Sequence, residues 1–281
     1  LISWIAPRGI VAAAIASLIV IELNSHGFLG DQLRALVFLL IIMTVLSAGL
    51  TGGFAASILE LKRKKNSGWI ILGAHEVARL LARLLKIYGD EVICIDENPN
   101  ACRLAENEGI KVFYGNALEE RTLQRTEPDI RKGIIALSGN EEVNFIFSQR
   151  AKHLEKEIII LTGIKHMSKG ITQEMVLDSG ARIPFGRIAD MEQWSLWIRQ
   201  NNTVYKTYVF EGKSKVNPAD DAMIRIMLSL VFIRKESANP VDNQFQLKKK
   251  DCIIFLINKN RLDEANDWLK NNGFIPNQVT R

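Results

Sequence analysis

An apolar stretch as long as a bilayer core is thick restricts this chain more than any other feature. Residues 33–50 carry one charge, Arg34 near the start, and two hydroxyls, Thr44 and Ser47, that can bond back to their own helix. A hydrocarbon core of about 30 Å asks for roughly 20 such residues. An earlier run, residues 10–21, reads Ile-Val-Ala-Ala-Ala-Ile-Ala-Ser-Leu-Ile-Val-Ile. It reaches spanning length only if it starts around Leu1 and takes in Arg8. Two transmembrane helices over residues 1–61 are therefore expected. An arginine inside a membrane helix costs on the order of 3 kcal/mol or more unless it finds a carboxylate or a freed carbonyl. Pro7 frees such a carbonyl, and Gly9 lets a neighbouring backbone come close. A broken helix beside a buried arginine suits a transport core. An arginine that ends an ordinary span and snorkels to the headgroups fits the same residues.

The segment Trp4-Ile5-Ala6-Pro7-Arg8-Gly9-Ile10-Val11-Ala12-Ala13-Ala14 resembles the late helix of bacterial sodium/proton exchangers of the first monovalent cation:proton antiporter family, which carries a Gly/Pro-Arg-Gly-x-Val signature. The following segment, Val37 to Phe54, with Thr44-Val45 and Gly49-Leu50-Thr51, resembles the span that closes that membrane domain. The resemblance implies that Arg8, with Pro7 and Gly9, organises the transport core. The family's ion-binding aspartates belong to earlier helices, so the chain is expected to be the C-terminal part of a longer protein.

After Leu61 comes Lys62-Arg63-Lys64-Lys65. The positive-inside rule places this cluster, and residues 66–281 after it, in the cytoplasm. Contact of the cluster with anionic headgroups is compatible with that topology. Gly52-Gly53 is expected to break the second helix before an amphipathic tail. Basic residues exceed acidic ones by five, 36 to 31. No basic cluster is interleaved with aromatics, so nucleic-acid binding is not expected. Cys94, Cys102 and Cys252 form no Cys-x-x-Cys pair, and reduced, mostly buried thiols are the expectation. The four histidines show no metal-ligand spacing, and no metal site is expected.

From residue 69 the pattern changes to short apolar runs alternating with amphipathic segments. Strands are expected over residues 69–73, 91–96, 111–114, 133–138 and 157–162. Helices are expected between them, the first with Val77, Leu80, Leu81, Leu84 and Leu85 inward and Glu76, Arg79, Arg83 and Lys86 outward. Such alternation gives a doubly wound, Rossmann-like parallel sheet.

A dinucleotide fingerprint would sit after the first strand: a Gly-x-Gly-x-x-Gly turn, and an acid about 20 residues on for the ribose. Here the turn reads Gly73-Ala74-His75-Glu76-Val77-Ala78, and Asp96 ends the second strand. The first glycine is kept, Ala78 is a tolerated third position, and His75 replaces the second glycine. An imidazole there is expected to obstruct a diphosphate, leaving affinity for NAD, NADH or ADP on the order of 0.1 mM or weaker. A Rossmann-like fold that has lost its ligand fits the same residues.

The turns Gly73-Ala74-His75-Glu76-Val77-Ala78, Asp96-Glu97-Asn98-Pro99, Tyr114-Gly115-Asn116-Ala117 and Ser138-Gly139-Asn140-Glu141-Glu142-Val143-Asn144 together resemble the TrkA-N domain. That is the nucleotide-binding half of the regulator-of-potassium-conductance (RCK) module. The resemblance spans about residues 68–164. It implies Gly73, His75, Ala78, Asp96 and Asn116 as nucleotide-binding positions, with NAD(H) or ADP/ATP as a regulatory ligand. Beyond residue 164, a helix over residues 190–200 carries Met191, Trp194, Trp197 and Ile198 on one stripe. It either crosses to a partner subunit or covers the chain's own core. Strands over residues 205–210, 226–234 and 252–258 and a helix over residues 260–272 resemble, weakly, the small α+β TrkA-C subdomain.

The expected organisation is thus residues 1–61 as the last membrane helices, 66–165 as the TrkA-N domain, 166–200 as a helical connector and 201–281 as the TrkA-C-like part. The expected protein is a multi-pass inner-membrane antiporter exchanging H⁺ for Na⁺ or K⁺, homodimeric and without catalytic residues. An RCK-regulated potassium channel or potassium-uptake component is the alternative, although no Thr-Val-Gly-Tyr-Gly-like filter precedes the last span. A membrane-tethered NAD-dependent oxidoreductase ranks below both, because no acid–base constellation follows residue 164. If Arg8 organises a transport core, Arg8→Ala in the complete protein lowers cation/proton exchange strongly and Arg8→Lys restores part of it. Undiminished exchange by Arg8→Ala vesicles would show that Arg8 only marks a membrane edge.

Overall fold

The computed structural model describes residues 10–25, 30–58, 67–165, 170–212 and 223–277. Pro7, Arg8, Gly9 and the Lys62-Arg63-Lys64-Lys65 cluster lie outside these residues. The chain divides into two compact units, Leu1–Lys64 and Lys65–Arg281.

The first unit contains helices α1 (Ile10–Ser25) and α2 (Gly30–Ile58). Ala16 and Val20 are buried, while Leu18, Leu36, Met43 and Leu50 are exposed. Large apolar side chains thus face outward along both helices. The polar groups are satisfied locally, as the sequence suggested. Thr44 donates to Ile41 O, Ser47 to Thr44 O and Thr51 to Ser47 O. Gly30–Thr51 is long and apolar enough to cross a membrane; at 1.5 Å per residue its 22 residues extend about 33 Å. The described part of α1 has 16 residues, about 24 Å, and two spans are not established. Nor does Gly52-Gly53 break α2. A helical glycine costs about 1 kcal/mol, a small sum beside the cooperative hydrogen bonding of a 29-residue helix.

The second unit begins with a parallel sheet of order β3-β2-β1-β4-β5. Its strands are β1 (Trp69–Leu72), β2 (Val92–Asp96), β3 (Lys111–Tyr114), β4 (Gly133–Ala136) and β5 (Ile159–Thr162). Helices α3 (Glu76–Ile87), α4 (Pro99–Asn107), α5 (Glu120–Arg125) and α6 (Glu141–Leu154) connect them, and α7 (Gln173–Asp178) follows β5. The starts of α4 and α6 follow from capping chemistry. Asn98 accepts from Asn100 N and Ala101 N ahead of Pro99, and Asn140 accepts from Val143 N. Helix α8 (Met191–Arg199) then leads into an antiparallel sheet of order β10-β6-β9-β7-β8. Here β6 is Thr203–Phe210, β7 Met227–Arg234, β8 Ser237–Pro240, β9 Cys252–Asn258 and β10 Phe274–Pro276, with α9 (Leu262–Asn271) before the last strand.

Helix α3 joins the two sheets. Val77, Ala78, Leu80, Leu81, Ala82, Leu84 and Leu85 are buried in one cluster with Trp69 and Ile71 of β1 and Leu228, Leu230 and Val231 of β7. The expected outward Arg79 is also buried, 9% exposed. The antiparallel sheet covers the face that a lone Rossmann domain would leave to water. Arg79 itself is held within the parallel-sheet half, by Glu108 at 2.9 Å and Ala74 O at 2.8 Å. Trp194 and Trp197 meet edge to face at 5.0 Å within the same cluster. The stripe that suggested a partner subunit is therefore covered largely by the chain's own core.

Gly133 in β4 has no positive φ, so space alone explains it. A Cβ there would lie 2.2 Å from Trp69 Cζ3 and 2.7 Å from Ile159 O. Gly133→Ala should cost about 2–3 kcal/mol by overpacking. Gly139→Ala, whose Cβ meets only the end of Glu192 at 3.4 Å, should be close to neutral. Equal urea midpoints for the two variants would refute this account of β4.

Candidate functional site

In an open parallel sheet, ligands bind outside the carboxyl ends of the strands where the strand order reverses. Here that point lies between β1 and β4, and a groove of about 510 Å³ opens beside it. Gly73, Asp96, Gly115, Asn116, Ser138 and Asn140 are among its walls. Gly73 adopts φ +109°, a conformation that a side chain would strain.

Asp96 is the hinge of this arrangement. Its Oδ2 accepts from Ala74 N at 2.7 Å and its Oδ1 from Asn98 N at 2.8 Å. The carboxylate thus holds the turn after β1 and the turn after β2 together. A carboxylate has about four acceptor positions, so two remain for a ligand hydroxyl pair. Asn116 spends its side-chain oxygen on Leu118 N at 2.7 Å, shaping the turn after β3. Ala78 is fully buried beneath the turn and permits close helix–sheet packing.

His75 does not line the open groove. Its ring lies beside the Gly73 turn, with Cδ2 3.3 Å from where a Gly73 Cβ would stand. Nε2 is 2.6 Å from Leu137 O, and Nδ1 is 2.9 Å from Ser195 Oγ. A carbonyl can only accept, so Nε2 carries the proton. Burial pushes the imidazole pKa below 6.5, so the ring is neutral and Nδ1 accepts from the Ser195 hydroxyl. The imidazole therefore ties the end of β4 to α8. Gly73, Asp96 and Asn116 come together on the groove, while His75 is turned to the other side of the switch point.

Three residues of this site went unread in the sequence. Ser195 sits between Trp194 and Leu196 with no local signal for a ligand to histidine. Arg79 looked like one of several surface charges. Asn144 looked like part of a turn, yet it is buried with its amide fully used. It accepts from Ser138 N and Ser138 Oγ and donates to Ser138 O and Gly163 O, at 2.7–3.0 Å. It thereby locks the carboxyl ends of β4 and β5.

Among the described residues, no cluster of three His, Cys, Asp or Glu is placed to hold a metal. Cys94, in the core cluster on β2, has its pKa pushed up to about 12 by burial and stays a thiol. Asp96 and Glu97 are the charged residues on the groove, and no basic side chain lines it among the described residues. The arrangement suits binding of a hydroxyl-bearing ligand through Asp96.

Residues 69–180 match the TrkA-N domain family. The chain contains a TrkA-N domain. Two archaeal relatives are Trk system potassium uptake protein TrkA homologs. The one from Pyrococcus abyssi is 24% identical over 186 residues, covering 66% of this chain and 71% of the relative. The one from Pyrococcus horikoshii is 28% identical with the same coverage. Among solved structures, the TrkA-N domain of the inner membrane protein ybaL from Escherichia coli aligns with a TM-score of 0.39 and 15% identity. That alignment covers 48% of this chain and 96% of that one. The GsuK channel bound to NAD aligns with a TM-score of 0.37 and 17% identity, covering 83% of this chain and 47% of that one.

The buried imidazole makes stability depend on pH. The unfolded chain titrates His75 near 6.5, and the folded TrkA-N domain does so at lower pH. Above about 6.5 both states hold it neutral and the native contacts contribute fully. As pH falls below that value the unfolded state takes up the proton first, and stability declines. Urea unfolding at pH 7.5 and 5.5 should show a smaller loss for His75→Gln, which can keep both hydrogen bonds without titrating. An unchanged pH dependence in the variant would remove His75 from this role.

Proposed function

We propose that this chain carries the regulatory module of a membrane system that moves monovalent cations, and that its crevice binds a nucleotide-type effector without chemical turnover. The observation that carries this reading is Asp96, held at the end of β2 against the Gly73 turn with acceptor positions facing an open groove. A carboxylate there is suited to a ribose diol. NAD(H) and ADP/ATP are the effectors that the TrkA-N resemblance suggests. The Trk potassium-uptake relatives support potassium as the transported ion, and the apolar α2 supports attachment to a membrane.

The finer reading is a homodimeric antiporter in the inner membrane, exchanging H⁺ for Na⁺ or K⁺ across several spans, with residues 66–281 in the cytoplasm. Its support is the Pro7-Arg8-Gly9 motif. A potassium channel or uptake component fits about as well, favoured by the Trk relatives. In either case the effector would act by binding one arrangement of the module better than another, and that difference limits how far it can shift transport.

Proteoliposomes containing the complete protein test both levels. K⁺ flux should change when effector is added, and Asp96→Ala should weaken the effector about tenfold or more by removing its charged hydrogen-bond acceptor. Opposite proton movement coupled to K⁺ flux supports the antiporter, and K⁺ flux without it selects the channel or uptake reading. A K⁺ flux insensitive to every nucleotide tried would overturn the regulatory reading.

A further inference from the structure

A second polar cluster lies at the amino end of the parallel sheet, away from the crevice. There the chain enters the second unit along Ser67 and Gly68, directly before β1. Ser67 N donates to Ile130 O at 2.8 Å, and Arg131 Nη1 donates to Ser67 O at 3.0 Å. Lys132 N donates to Gly68 O at 2.8 Å, and Trp69 N donates to Glu91 O at 2.8 Å. The Trp69 indole adds a bond to Asp90 at 3.1 Å. Gly68, at φ +99°, passes so close to the turn before β2 that a Cβ would stand 1.8 Å from Glu91 O.

Arg131 closes this clasp. Its side chain is 1% exposed. Nη1 also meets Glu91 at 2.7 Å, and Nε donates to Thr126 O at 3.1 Å. One buried guanidinium thus ties together the entering chain, the turn before β2 and the segment before β4. A buried cation is costly unless it is fully partnered, so Arg131 favours the arrangement in which all three are in place. The segment that supplies Arg131 starts on the crevice. Gly115, Asn116 and Leu118 line the groove, α5 follows, and a 3-10 turn at Pro128–Ile130 leads to Arg131. Backbone bonds from Thr126 N to Leu123 O, Ile130 N to Glu127 O and Arg131 N to Pro128 O fold this stretch on itself.

Resting on the reading of the second unit as a regulatory module, we propose that Arg131 is the positioning residue through which that unit acts on the chain before residue 66. It fixes Ser67 and Gly68 to the amino end of the sheet. A shift of the α5 segment is then passed into the preceding chain and is not lost in fraying at the start of β1. The attachment works by geometry, since Arg131 sits at the end of the sheet opposite the groove.

Hydrogen exchange on the complete protein reads the clasp directly. Arg131→Gln should speed exchange of the Ser67 and Trp69 amides about tenfold or more, with the amides of β9 unchanged. Gly68→Ala, which spoils the same fit from the other side, should do likewise, and it carries the test if Arg131→Gln does not fold. In proteoliposomes both variants should bind NADH or ADP within about twofold of wild type. Both should lose about fivefold or more of the change in K⁺ flux that the nucleotide produces. Arg131→Lys, which keeps the charge, should restore part of that response. Variants whose Ser67 and Trp69 amides stay protected, or that lose protection and keep the full nucleotide response, overturn the assignment of Arg131 while leaving the module regulatory. Wild-type flux that responds to neither NADH nor ADP overturns the regulatory reading, and this inference with it.

Discussion

The second unit depends on the burial of α3 between two sheets. A Rossmann helix ordinarily shows one face to the sheet and one to water. In this chain the antiparallel sheet takes the second face, and Leu228, Leu230 and Val231 complete the cluster around Leu80, Leu81, Leu84 and Leu85. Each such buried aliphatic side chain contributes about 2 kcal/mol. The parallel and antiparallel halves therefore share a core. Helix α3 is also the helix that begins at the glycine turn, so the candidate ligand site sits at the end of the element that joins the halves.

Around that turn the polar groups are used economically. Asp96 clasps Ala74 and Asn98, Arg79 reaches back to Ala74 O, and His75 bridges Leu137 and Ser195. Buried polar groups left unpaired cost about 1–3 kcal/mol each, so these bonds favour this arrangement of the loop. His75 gives the arrangement its particular character. Replacing the fingerprint's second glycine, it turns a point of ligand approach into a point of contact with α8.

Much of this was legible from residue order alone. The helix Glu141–Leu154 and the strands Lys111–Tyr114 and Cys252–Asn258 are where periodicity placed them. Local signals were strong there: Asn140 as a cap, β-branched and aromatic runs, and glycine at the boundaries. The hairpin of β7 and β8 was not legible. Its two-residue turn, Lys235-Glu236, has positive φ at both positions, 51° and 66°, which calls for Asn or Gly. Ser-Ala-Asn-Pro has no strand propensity either; pairing with β7 and the buried Ala238 and Pro240 make it a strand. The groove residues Gly73, Asp96 and Asn116 were readable because strand ends are readable. The partners that govern the other half of the crevice, Ser195 and Asn144, were not.

Residue order by itself determined the class of each segment: an apolar helix of spanning length, five strands alternating with helices, an acid at the end of the second strand and a broken glycine fingerprint. These follow from local spacing and backbone preference, which act over a few residues. Tertiary structure decided that Arg79 is buried, that the Trp194 stripe belongs to the chain's own core, and that His75 faces Ser195, 120 residues away in sequence. Those outcomes depend on contacts that join Arg79 to Glu108, the Trp194 stripe to α3 and His75 to Ser195. The partners lie far apart in the chain, and no short window of sequence encodes such a contact.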